Sequence, residues 1–114
     1  MAIEHITPEW IAGDTEVLEF IIGDDRGIPL DLTDYTGRMQ IRGSVNGLVL
    51  AEVEAIVDTS LSSMQFVFTP ELTAALRVGG TVVNFVYDAE SVSPSGVVTT
   101  EVYGTIPVRT DITR

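Results

Sequence analysis

Apolar residues recur along this chain mostly at every second position, the period of a half-buried β-strand. In residues 15–22, Leu18, Phe20 and Ile22 fall on one face of such a strand, and Val17, Glu19 and Ile21 on the other. The GDDRG run at 23–27 supplies turn chemistry, because Gly tolerates positive φ and Asp bonds its own backbone, so a hairpin-like reversal is expected. Residues 28–35 follow as an extended passage, with Pro29 suited to an edge rather than a central strand. Arg38, Gln40 and Arg42 then alternate with Met39 and Ile41, the cleanest half-buried strand pattern in the chain.

Ser44-Val45-Asn46-Gly47 reads as a turn, and its Asn-Gly pair suits a type I′ hairpin. A return strand is expected over 48–54, and another over 64–68 from Met64, Phe66 and Phe68. The run TPELTAAL at 69–76 breaks the alternation. Thr69 suits an N-cap, Pro70 the first helical position and Glu71 the first turn, while Leu72 and Leu76 share one face. One short helix bridging two sheets is the reading, with Gly79 ending it. A strand over 81–90, a loop at 93–96 and a long strand over 97–108, bent near Gly104 and Pro107, complete the pattern.

About seven short strands and one crossover helix predict an antiparallel β-sandwich. The expected core includes Leu18, Phe20, Ile41, Phe66, Phe68, Phe85 and Tyr87. The 114 residues form one domain, with residues 1–10 either a docking arm or the first strand.

Charge alters this picture more than composition does. Seventeen acidic residues face six basic ones, all arginine, for a net charge of −11. A field of that sign opposes phosphate backbones and anionic lipid, so nucleic-acid and membrane partners are not expected. It serves either solubility or a complementary basic partner. No cysteine is present, so there is no disulfide framework. The start, MAIEHITPEW, lacks the basic and apolar regions of a signal peptide.

Candidate chemistry is sparse. His5 is the only histidine, and no G-x-S-x-G elbow accompanies any serine, so catalysis by His5 is not expected. Transition-metal sites need several His or Cys ligands. Asp24, Asp25 and Asp31 gather around one turn, but their spacing departs from a calcium loop, and turn formation accounts for them. Glu52 and Glu54 share a strand face and read as solvated rather than as a glycosidase pair. No metal, cofactor or catalytic residue is expected. Trp10 is open between two roles, closing one end of the core or anchoring a partner.

The order of several pieces carries a resemblance. G-D-T at 13–15 leads to D-D-R-G at 24–27, P-L-D-L-T-D-Y-T at 29–36, R-M-Q-I-R at 38–42 and G-L-V-L at 47–50. F-T-P-E-L-T-A-A-L at 68–76, V-Y-D-A-E at 86–90 and V-R-T-D-I-T-R at 108–114 follow. Over nearly its whole length the chain resembles the small immunoglobulin-like proteins of tailed-phage virions. It is similar to the N-terminal domain of upper baseplate proteins and to short tail-region proteins.

The resemblance implies a non-enzymatic adaptor in a multi-copy assembly, made in the host cytoplasm and carried on the virion. Its partners would be other virion structural proteins. Tail, baseplate and fibre attachment are the implied locations. Capsid decoration or a head fibre is the alternative, and a carbohydrate-binding adhesion module is a third reading. For partner contacts the expected residues are Ile3, Ile6, Trp10 and Ile11 at one terminus and Arg109 and Arg114 at the other.

Overall fold

Where two strands meet, side chains of like parity must point the same way, so alternation along the sequence becomes a face of a sheet. The computed structural model describes residues 9–76 and 82–110. In chain order they form β1 (Trp10–Ala12), β2 (Glu16–Ile21), β3 (Thr36–Arg42), β4 (Val49–Glu54), β5 (Ile56–Asp58) and β6 (Ser63–Phe68). Then come α1 (Pro70–Ala74), β7 (Val82–Val92) and β8 (Val98–Thr110).

Five strands make one sheet, in the order β1-β8-β7-β3-β4, and three make the other, β2-β6-β5. The fold is an all-β sandwich. All pairs are antiparallel except β1 with β8, which run parallel with Trp10 opposite Val108.

Every residue expected in the core is buried there: Leu18, Phe20, Ile41, Phe66, Phe68, Phe85 and Tyr87. The tilted pair of Phe20 and Phe66, with ring centroids 6.0 Å apart, comes from neighbouring strands of the small sheet. Trp10 of the large sheet meets Phe68 of the small one at 5.1 Å. These offset contacts suit the ring quadrupoles and add to area burial. Leu32 is fully buried although it lies in the irregular passage between β2 and β3.

The helix begins as its sequence requires. The Thr69 hydroxyl accepts from Leu72 N at 3.3 Å, and Pro70 occupies the first turn, where its missing N–H is not needed. It ends at Ala74, earlier than expected, and Gly79 lies outside the described residues. Leu76 and Leu72 pack on the core, so the short crossover from β6 to β7 joins the two sheets. Thr73 is buried as well. Its hydroxyl donates to the Asp14 carbonyl at 2.6 Å and accepts from Gly13 N at 2.9 Å, tying the helix to the β1–β2 turn.

Several local expectations are corrected. The β3–β4 connection closes by Gly47 N to Ser44 O at 2.9 Å, which puts Val45 and Asn46 at its centre. Neither Asn46 nor Gly47 takes a positive φ, so this is not a type I′ turn. A register irregularity at Ile41/Arg42 lengthens the connection and removes the demand for a two-residue loop. In β8 the pairing runs unbroken through Gly104 and Pro107, and the irregularity lies at Ala89/Glu90, across from Glu101. Finally, β1 and β5 raise the strand number to eight among the described residues. The reversal at 23–27 does form: Gly27 takes φ +79, Gly27 N bonds Asp24 O, and Gly23 bridges Pro29.

Candidate functional site

The contact residues expected at the two termini separate into four groups. Ile3, Ile6 and Arg114 lie outside the described residues, as does His5. Trp10 is 0% exposed in the core, so it closes the sandwich and offers no ring to a partner at the surface. Its indole N–H has no hydrogen-bond partner among the described residues. Ile11 is half-buried on β1 and donates its backbone N–H to Glu16 at 2.9 Å.

Arg109 is exposed, but its guanidinium grips both carboxylate oxygens of Glu9, at 2.9 and 3.1 Å. That pairing holds Arg109 above its ordinary pKa. The arginine expected to meet a partner there is therefore engaged within the chain. Through the β1–β8 pair, the fold does bring Trp10 and Ile11 beside Val108 and Arg109.

The acidic turn residues are occupied by backbone. Asp24 accepts from Ile28 N and Arg26 N, and those bonds hold its carboxyl below the ordinary value. Asp31 accepts from the Thr33 hydroxyl and Thr33 N, with the same effect. Asp58 does likewise with Ser60 and Leu61. Among the described residues, no three acidic or histidine side chains gather as a metal site would require.

On the outward face of the large sheet, the cross-strand register builds a charge lattice. Arg38 reaches Glu52 at 3.3 Å and also pairs with Glu90, which raises its pKa. Gln40 donates to Glu52 at 3.0 Å, and Arg42 meets Gln40 at 2.6 Å and Asp88 at 3.5 Å. Glu52 is thus a member of this solvated lattice.

Sequence reasoning passed over Tyr103, which stands on this face at 77% exposure. The bulge at Glu101 hid it: register puts Tyr103 on the outward face with Thr100 and Thr105, whereas a strict period of two groups it with Thr99 and Glu101. Beside it lies a groove of about 510 Å³, lined among others by Arg42, Val45, Val86, Asp88 and Tyr103. A second hollow of about 370 Å³ opens near Tyr35, Arg38, Glu54 and Glu90. The arrangement offers an apolar floor with charged and hydroxyl margins, which suits binding. No nucleophile paired with a base is found among the described residues lining it. No protein-family model matches the chain, and a search of curated proteins finds no match either.

Proposed function

We propose that the chain is a non-enzymatic structural or adaptor subunit of a phage virion, in the tail, baseplate or fibre-attachment region, acting through protein–protein contacts. One observation carries the contact-making part. Large apolar side chains remain exposed on both outer faces and at the loop tips, among them Val17, Ile21, Val45, Leu48, Ile56 and Tyr103. Of these, Val45 and Tyr103 line one groove, and exposed apolar side chains gathered around a hollow suit a surface that a neighbouring subunit covers.

Two further features support the reading. The division into sheets β1-β8-β7-β3-β4 and β2-β6-β5 supports reading the sandwich as immunoglobulin-like. The motif order of the sequence resembles that module in tailed-phage virions. The test is quantitative mass spectrometry of purified particles, intact and separated into heads and tails. The expected result is recovery of the chain with tails, in several copies per particle. Recovery with heads alone would favour capsid decoration or a head fibre, and absence from particles would overturn the reading.

A further inference from the structure

Register places three outward rows across β3, β7 and β8: Arg38, Glu90 and Thr100; Gln40, Asp88 and Tyr103; Arg42, Val86 and Thr105. Val86 is the half-buried apolar member of these rows and forms a floor. Tyr103 rises on one side of it, and Val45, 77% exposed, on the other. Leu48, 85% exposed, adjoins Val45 in the same loop.

Leaving these side chains in water costs apolar hydration free energy, and burying them under a partner recovers it. The groove's volume of about 510 Å³ suits a few side chains rather than a flat contact. By contrast, the apolar positions Val17, Ile21 and Ile56 of the small sheet border no such hollow among those described, and Glu19 and Gln65 interrupt them.

Charge chooses among occupants. Arg38 and Arg42 are each paired to carboxylates, and Glu52, Glu54, Asp88 and Glu90 outnumber them two to one on this face. With the chain at −11, a second copy meets like charge. A basic segment of another protein meets complementary charge over an apolar floor. Tyrosine beside arginine is also the composition of an interface hot spot.

We infer that the groove between Tyr103 and Val45 is a docking site for a segment of a different protein, one with an aliphatic or aromatic anchor flanked by basic residues. This deepens the reading of the chain as a contact-making subunit and rests on it. The test uses two synthetic peptides, one with arginines flanking three aliphatic or aromatic residues, the other with glutamates in place of the arginines. Each is titrated into the labelled full chain and followed by amide NMR. A neutral oligosaccharide forms a third arm.

Saturable shifts at Arg42, Val45, Val86, Asp88 and Tyr103 are expected with the arginine peptide, and at least roughly tenfold weaker binding with the glutamate peptide. Tyr103→Ala and Val45→Asp, both on exposed side chains and checked for fold by circular dichroism, should each weaken binding by about tenfold. Shifts elsewhere, equal binding of both peptides, binding of the oligosaccharide alone or no response would overturn the inference. Particle recovery is measured separately, so a failed titration with a particle-bound chain overturns groove docking and leaves the structural role intact.

Discussion

On the outer face of the large sheet, the arginines of β3 lie between carboxylates of β4 and β7, and β8 adds Thr100, Tyr103 and Thr105. The outer face of β2, β5 and β6 instead carries Val17, Ile21, Ile56 and Val67, with Glu19 and Gln65 between them. The inner faces of both sheets are apolar and share one core. Folding therefore does not account for the outer difference. In the large sheet, opposite charges placed directly across strands reinforce the register, each pair contributing little because it is solvated. In the small sheet, register comes chiefly from the buried side, through Leu18 against Phe66 and Phe20 against Met64, with Ser63 Oγ donating to Glu19 at 3.1 Å across the strands. The large sheet sets its apolar groove beside Tyr103 among paired charges, and the small sheet scatters exposed aliphatic side chains between polar ones.

The sharpest way to break this division is through the core that both sheets share. Phe66→Ala should cost about 3–5 kcal/mol, because the ring is fully buried between the layers and its loss leaves a cavity. Urea denaturation followed by tryptophan fluorescence measures it, with Trp10 as the reporter. A loss below about 1 kcal/mol would mean the sheets are not jointly packed there.

Next comes the joint between them. A Cβ on Gly37 would lie 2.5 Å from Met64 Sδ and 2.9 Å from Ala55 Cβ, so this β3 glycine is what lets the small sheet approach. Gly37→Ala should cost about 1–3 kcal/mol by overpacking. Pairing it with a smaller residue at Met64 should recover part of that loss in the same denaturation assay.

Acid provides a gentler probe, with opposite signs at two kinds of carboxylate. Asp24, Asp31 and Asp58 are held below the unfolded value of about 3.9. Their contribution is present above that pH and is lost as pH falls through the folded pKa. Glu16 is raised, first by desolvation, so its contribution is full below the unfolded value of about 4.3 and is lost as pH rises through its folded pKa. Thermal melts across roughly pH 2–6 should show Asp24→Asn with a shallower acid decline than the parent. Glu16→Gln should show a relative gain on the neutral side of that window.

The smallest effect is expected on the exposed small-sheet face. Ile56→Lys should change stability by no more than about 0.5 kcal/mol, since a 57%-exposed side chain loses little packing. It should nevertheless lower any self-association detected by light scattering. Denaturation midpoints that move far outside that range would show that this face packs more tightly than its exposure indicates.

Much of the scaffold was legible in local alternation. Met39 with Ile41, Met64 with Phe66 and Phe68, and Phe85 with Tyr87 each face the core as their parity requires, and the helix starts at the residue whose hydroxyl can cap it. What escaped is non-local. The three residues of β1 pair with a strand almost a hundred positions away, and the three of β5 are too short for any period to register. Leu32 is buried by tertiary packing without belonging to a strand. Arg109 looked like an available charge because nothing in its neighbourhood along the chain announces Glu9. The groove escaped for a related reason: Val45 and Tyr103 meet only after β3, β7 and β8 have paired.

The parallel β1–β8 pair has a mechanical consequence. Because both strands run the same way, the chain enters this pair at one end of it, before Trp10, and leaves at the other, after Thr110. Tension pulling those two points apart drags β1 lengthwise against β8, so the ladder bonds bear the load together instead of opening one after another. The Trp10 ring, wedged against Phe68, must be pulled from the core before the strands can slide. Force applied through the flanking segments thus meets a clamp in shear, and the domain yields abruptly rather than unzipping.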